Sequence, residues 1–374
     1  SPRCARLAPL ALTSCQLTGG DPRDGAAFTT PASRELMRAL PAGTRGWLRA
    51  GLLGLGLPGL LGSALWWMTT MPGRPAARDL PPPTEVEREL EGHLRTHVHA
   101  LAGDIGERNV FRTDRLETAA EHLESTLRAL GHAVEAQVFE SRGVRVRNLE
   151  VTRAGVSFPE EIVVVGAHYD SVLGCPGAND NGSGVAAVIE LSRLLASREL
   201  ARTVRFVLFV NEEPPFFQTG DMGSLHYARR CRERGERIVA MFSLETMGCF
   251  SDEEGSQHYP FPFSFFYPSR GNFIAFVGNL SSQGLVRRAV RSFRSHASIP
   301  SEGAAVPGGI TGVGWSDHWA FWQQGYPGVM ITDTAPFRYE HYHTPLDTPD
   351  RVRYGHLARV VAGLEKVIVD LASE

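Results

Sequence analysis

Downstream of residue 84 the apolar positions follow two rhythms, one helical and one of short runs. Thr84 stands three residues before Glu87, the pairing in which a hydroxyl and a carboxylate reciprocally cap the first turn of a helix. Leu116, Ala120, Leu123, Leu127 and Leu130 then recur at three- and four-residue steps; Asp114 with Glu117 offers a second cap, and Gly131 ends the helix. Shorter runs over 133–139 and 144–151 predict two strands joined as a hairpin. Apolar runs at 162–165, 204–210, 238–244, 273–277 and 329–331 read as buried strands. Helical spacing fills 184–196, 224–233, 282–295 and 317–324, and 353–372 predicts a closing helix. Strands alternating with helices predict an α/β protein: a mostly parallel central sheet flanked by helices on both faces, an α/β/α sandwich without internal repeats.

The N-terminal part follows neither rhythm. Residues 1–36 show no sustained periodicity and are read as a doubtful or disordered leader. From Met37, the arginines Arg38, Arg45 and Arg49 precede an uncharged apolar run over 50–68, the outline of an export signal. Two outcomes stay open for 37–72. Cleavage at Gly62-Ser63-Ala64 makes it a signal peptide. Retention makes it an anchor with Trp66 and Trp67 at the interface, because the run approaches the ~20 residues that a spanning helix needs. Either outcome places the globular part outside the cytoplasm: periplasmic, secreted or membrane-anchored. Residues 73–83, with Pro81-Pro82-Pro83, are a stiff linker, and 84–374 form one domain.

Composition narrows the function. With 43% hydrophobic and 21% charged residues there is ample material for a core. A net charge of −3 excludes a general nucleic-acid binder, which needs a strong basic excess. Five cysteines are too few for a disulfide scaffold. Cys175 and Cys249 lie near two acids of interest, Asp180 and Glu245; export would allow a disulfide between them, and two buried thiols are the alternative.

The chemistry collects just past the predicted strand ends, where open α/β sheets bind ligands. His168-Tyr169-Asp170 follows the first core strand, and Asp180 stands in Asn179-Asp180-Asn181-Gly182-Ser183-Gly184. The next strands deliver Glu212-Glu213 and Glu245, and His341-Tyr342-His343-Thr344-Pro345 follows the last. Imidazoles and carboxylates suit zinc in a hydrolytic site. Adjacent carboxylates at the end of an apolar strand, Glu212-Glu213, repel each other unless a cation offsets them.

Across 161–348 these motifs resemble the di-zinc aminopeptidases, the family of bacterial leucyl aminopeptidases that also holds glutaminyl cyclases and glutamate carboxypeptidases. The resemblance implies two zinc ions and a role for each residue. His168 and Glu245 would hold the first metal, Glu245 standing where the family often has aspartate. Asp180 would bridge, and Glu213 and His343 would hold the second metal. Asp170 would orient His168, and Glu212 would act as general base on a water between the metals. Asp317, in Ser316-Asp317-His318, resembles a motif near the substrate; His318 reads as structural, and His341 is the poorer ligand because it does not directly precede Thr-Pro. The implied activity is release of the N-terminal residue from peptides with a free N-terminus. The alternatives are a glutaminyl cyclase-like acyltransferase and a carboxypeptidase or dipeptidase, for which Arg338 or Arg270 would have to hold a substrate carboxylate.

Overall fold

The computed structural model describes Gly54, residues 56–77 and residues 79–373. The leader 1–36, the arginines of the export signal and part of the apolar run 50–68 lie outside the described residues. Contacts divide the chain into a unit ending at Gly62 and a unit from Ser63 to Glu374. Helix α1 covers Leu57–Thr69. Among the described residues no helix is long and apolar enough to cross a membrane.

The larger unit begins with α2 (Glu85–Val98). Thr84 caps it as expected: its Oγ1 accepts from Glu87 N at 3.2 Å while Glu87 Oε2 accepts from Thr84 N at 2.7 Å. Such a cap contributes about 1 kcal/mol. α3 (Thr113–Ala129) differs in its start. Arg112 is the capping position and makes no side-chain cap, because the helix begins one residue ahead of Asp114 and leaves that acid inside the first turn. There it still favours the positive end of the helix dipole.

The hairpin forms from β1 (Val134–Ser141) and β2 (Val144–Arg153), joined at Arg142-Gly143, both at positive φ. Then come β3 (Phe158–His168), α4 (Gly184–Leu195), β4 (Arg202–Phe209), α5 (Gly223–Glu233), β5 (Arg237–Glu245), β6 (Ile274–Gly278) and α6 (Gln283–His296). Strand β7 (Ser301–Ala305), α7 (His318–Gln323), β8 (Gly328–Thr332) and α8 (Tyr354–Ser373) complete the unit. The sheet order is β1-β2-β4-β3-β5-β8-β6-β7. Pairs β3–β4, β3–β5, β5–β8 and β6–β7 are parallel, and the hairpin, β2–β4 and β6–β8 are antiparallel. The sheet is thus mostly parallel but mixed.

Side chains alternate between the faces, as a pleated strand requires. Val163, Val165 and Ala167 of β3 join the core under α2, α3, α4, α6 and α8, while Ile162 and Val164 join the core under α5 and α7. Both faces of the central strands are therefore dry, which explains their near-continuous apolar sequences. Strand β7 was not anticipated, because Ser-Glu-Gly-Ala-Ala has no apolar run. Nor does the chain form the Cys175–Cys249 disulfide: both are free thiols, and Cys175 instead donates to Thr344 O at 2.9 Å.

Candidate metal centre

The ends of β3, β4 and β5 bring their polar residues to one edge of the sheet. His168 is the last residue of β3, Glu212 and Glu213 lie just beyond β4, and Glu245 ends β5. The segment 178–183 supplies Asp180, and the loop after β8 supplies His343. All of these, with Asp170, are buried except His343, which is partly exposed.

They form two triads, His168–Asp180–Glu245 and Asp180–Glu213–His343, each with one ligand-type atom per residue within 4.8 Å of the others. His168 Nε2 lies 3.4 Å from Asp180 Oδ1 and 3.3 Å from Glu245 Oε2. His343 Nε2 lies 3.0 Å from Asp180 Oδ2 and 3.2 Å from Glu213 Oε2. Atoms about 2.0–2.1 Å from a tetrahedral zinc are separated from one another by about 3.3 Å, so these spacings fit the edges of such a polyhedron. Asp180 turns one oxygen to each triad.

Of the buried side-chain atoms that lack a hydrogen-bond partner among the described residues, three are His168 Nε2, Asp180 Oδ2 and Glu213 Oε1. A buried polar atom left without a partner costs about 1–3 kcal/mol, and here all three belong to the triads. The donor set therefore fits a divalent, nitrogen- and oxygen-bound metal.

The charges lead to the same conclusion. Burial, with neighbouring carboxylates, raises the pKa of Glu212 and Glu245, and carries Glu213 up to about 7. Burial likewise carries Asp317 to about 7. At His343 burial opposes protonation, but the neighbouring carboxylates of Asp180 and Glu213 outweigh it and lift the ring to about 10. Without a cation the site holds protons to offset its crowded negative charge.

The surrounding residues fix the geometry. Asp170 accepts from Glu212 N and Glu213 N, both at 3.1 Å, and its carbonyl lies 3.2 Å from His168 Nδ1, which aims Nε2 at the triad. Ser316 Oγ donates to Glu245 Oε2 at 2.7 Å. Asp347 accepts from Asn179 N and Asp180 N at 2.8 and 3.0 Å, and Asp333 accepts from Asn179 Nδ2 at 2.9 Å. Tyr342 stacks on His343 with ring centroids 3.8 Å apart. Sequence reasoning passed over Ser316, Asp333, Tyr342 and Asp347; only their nearness to Asp317, β8 and His343 in the chain could have drawn notice. Asn211, Thr246 and His343 adopt positive φ without being glycine, and each is a triad residue or sits beside Glu212 or Glu245. Such costly backbone collects where surroundings enforce a site.

Other candidates fall elsewhere. Asp317 is buried at the same edge, and neither of its carboxylate oxygens has a hydrogen-bond partner. His318 is structural: Nε2 bonds Val313 O at 2.8 Å, and burial lowers its pKa to about 4. His341 is in neither triad. Of the two arginines considered for a substrate carboxylate, Arg270 pairs with Glu254, and Arg338 donates through Nε and Nη1 to Gln257 Oε1, Cys249 O and Phe273 O while its Nη2 has no partner among the described residues.

Residues 148–368 match the model of peptidase family M28. The protein YfbL of Escherichia coli is 34% identical over 307 residues, covering 80% of this chain and 90% of that one. A probable aminopeptidase of Saccharomyces cerevisiae is 25% identical over 282 residues, covering 70% and 68%. Among solved structures, BSAP, a zinc aminopeptidase from Bacillus subtilis, superposes with a TM-score of 0.59 at 17% identity, covering 79% of this chain and 97% of that one. That last likeness is one of fold.

Proposed function

The chain belongs to peptidase family M28, and we propose that it is a two-zinc aminopeptidase that releases the N-terminal residue of peptides, with Glu212 as general base. The observation that carries the count of two is the shared carboxylate: Asp180 faces His168 with Oδ1 and His343 with Oδ2. His168, Asp180 and Glu245 would hold one ion, and Asp180, Glu213 and His343 the other. Zinc bound there supplies a Lewis acid for the scissile carbonyl and lowers the pKa of water toward 7.

Glu212 stands outside both triads, its Oε2 3.9 Å from His168 Nε2. Burial raises its proton affinity, which suits a group that takes a proton from water and returns it to the leaving amine. Asp170 positions it through the Glu212 main-chain N–H. The free α-amine as the recognised group follows the aminopeptidases of this family.

The test uses the full chain loaded with zinc, its Glu212→Gln variant and a chelated sample, against free and N-acetylated peptides. The expected result is release of N-terminal residues from free-amine peptides alone, two zinc ions per chain, and a ~10²–10⁴-fold loss of rate in the variant with its zinc retained. C-terminal release from N-acetylated peptides would establish a carboxypeptidase instead. Ring closure of N-terminal glutamine without hydrolysis would establish a cyclase.

We also place the catalytic unit outside the cytoplasm, because arginines 38, 45 and 49 precede the apolar run 50–68. A membrane attachment through that run is part of the same proposal. Recovery of the whole, uncleaved chain in the soluble cytoplasm would refute both.

A further inference from the structure

One row of side chains crosses four strands on the sheet face opposite α4 and α8. Glu245 on β5 pairs in register with Thr332 on β8, Thr332 with Ala275 on β6, and Ala275 with Glu302 on β7. Residues paired in register share a face, so the row leads from a metal-centre acid to a second acid three strands away, about 14 Å between Cα atoms. All four residues line one cleft of about 870 Å³, counted out to its open mouth. Its mouth also carries Tyr342, the residue stacked on His343. The remaining wall is largely apolar: Val277 and Met330 from the sheet, and Phe263, Tyr267, Val306 and Val313 from the loops after β5 and β7.

Glu302 has one ion-pair partner among the described residues, Arg294, shared with other acceptors. Arg294 Nη2 reaches Glu302 Oε2 only at 3.5 Å. The same guanidinium donates to Ser301 O at 2.7 Å and to the carbonyls of Met71, Pro72 and Gly73. Tyr267 Oη donates to Gly303 O at 2.7 Å, and Tyr259 Oη to Pro268 O at 2.6 Å. Glu302 Oε1 thus accepts no hydrogen bond from the described residues. Burial raises the pKa of this carboxyl. With one long ion pair at Oε2 and none at Oε1, this acid in a largely apolar cleft gains from a ligand that brings Oε1 a donor, and a charged donor offsets the burial cost most fully.

We propose that Glu302 sets the side-chain preference of this enzyme: the cleft takes an N-terminal residue with a long apolar stem and a cationic tip, lysine or arginine, the stem lying over Thr332 and Ala275 and the tip meeting Glu302. This rests on the aminopeptidase reading, since it identifies the cleft with the place of the released residue's side chain. Glu302 is too far from the triads to touch the reacting atoms; it selects the substrate.

The test compares 4-nitroanilides of lysine and norleucine, which share the stem and differ at the tip, using the zinc-loaded full chain. Wild type favours lysine in kcat/KM. Glu302→Gln, which keeps the shape and an acceptor for Arg294, lowers the lysine-to-norleucine ratio by about 10- to 100-fold. A merely structural partner of Arg294 would depress both substrates together and leave the ratio in place. A ratio unchanged within about threefold, or a wild type that prefers norleucine, overturns the proposal. Should Glu302→Gln fail to fold, Glu302→Asp retains the charge on a shorter arm, and a lysine-to-arginine ratio of kcat/KM unmoved from wild type in that variant overturns it too. A wild type that releases nothing from either anilide or from any free-amine peptide fails at the aminopeptidase reading itself, a result distinct from an unmoved ratio.

Discussion

Arg108 lies ahead of the family match, yet it ties together the two loops that carry the metal centre. Its side chain is completely buried. Nε donates to Tyr169 O at 2.6 Å, Nη2 to Gly177 O at 2.9 Å, and Nη1 to Gly106 O at 3.1 Å and to Pro176 O. Tyr169 sits between His168 and Asp170, and Gly177 begins the turn that ends on Asp180. Replacing the guanidinium by the thioether of Arg108→Met keeps the stem and strands four carbonyls. Each buried acceptor left unpaired costs about 1–3 kcal/mol. Water can reach the partly exposed pair at Gly106 and Pro176, so the acceptors at Tyr169 and Gly177 set the scale. Loss of the positive charge facing Asp170, Asp347 and Asp180 adds to it. The expected destabilisation is about 3–5 kcal/mol, the range for breaking a buried charge pair. Because both loops loosen, zinc affinity should fall about 10- to 100-fold, as when partners of metal ligands are removed. Guanidinium chloride unfolding of the full chain, with and without zinc, measures the first quantity, and competition with a chelator the second. Arg108→Lys keeps the charge but not the fork and should fall between wild type and Arg108→Met. A loss below about 1 kcal/mol with unchanged zinc affinity would refute the reasoning, because the loops would then be held by something other than Arg108.

Two further perturbations probe the same frame. Gly177 has φ +65°, and a Cβ added there would lie 2.4 Å from Asp180 O and 2.7 Å from Ser171 Cβ, so Gly177→Ala should cost more than ~2 kcal/mol and lower zinc affinity; an unchanged unfolding midpoint would show that the turn can shift freely. Glu190 is buried on α4 and meets His93 Nδ1 and His97 Nε2 of α2, each at 3.1 Å, and Arg193 Nε at 2.8 Å. Burial works to raise its pKa, but the bonds from His97 and Arg193 outweigh it and hold the carboxyl at about 2. The folded-state value lies below the unfolded one, so this stabilisation is complete above about pH 4.5 and is lost as pH falls through about 2. Glu190→Gln should therefore be less stable than wild type by about 1–3 kcal/mol at pH 7, and the gap should narrow below pH 4.5 in urea titrations; a gap independent of pH would refute the charge argument.

The parts of this molecule legible in its sequence are those whose physics is local. Thr84 and Glu87 cap α2 through a three-residue contact, and the central strands announce themselves because both of their faces are dry. The triad residues stand at strand ends, where the period-2 apolar pattern stops and a lone imidazole or carboxylate has no packing role. What stayed hidden depends on distant chain segments meeting. Asp114 had the right pattern for a cap, but the helix starts one residue ahead of it, with Arg112 at the capping position. Cys175 and Cys249 are near their acids in sequence, yet the fold gives the first a carbonyl, Thr344 O, in place of a thiol. Arg108 carries no motif; its role exists only because residues 106, 169, 176 and 177 converge on it.

Glu302 makes the case most sharply. In Ser-Glu-Gly-Ala-Ala it reads as a solvated residue between small ones, with no apolar run to betray a strand. One small neighbour is useful: Ala304, on the same face as Glu302, leaves room on an edge strand for a cleft that a larger residue would fill. Thr332 and Ala275 continue the open row toward Glu245. The catalytic chemistry is thus written in residue types at strand ends, whereas the choice of substrate is written in a cross-strand register. A register has no signature in a single segment, because it is fixed only when four strands far apart in the chain pair. Exchanging Ala275 for leucine would block the row without touching either acid. It should depress the lysine substrate more than one with an N-terminal alanine, whose side chain never reaches that far, while zinc content stays at the wild-type level. Equal losses on both substrates would mean that the row is not the path a side chain follows.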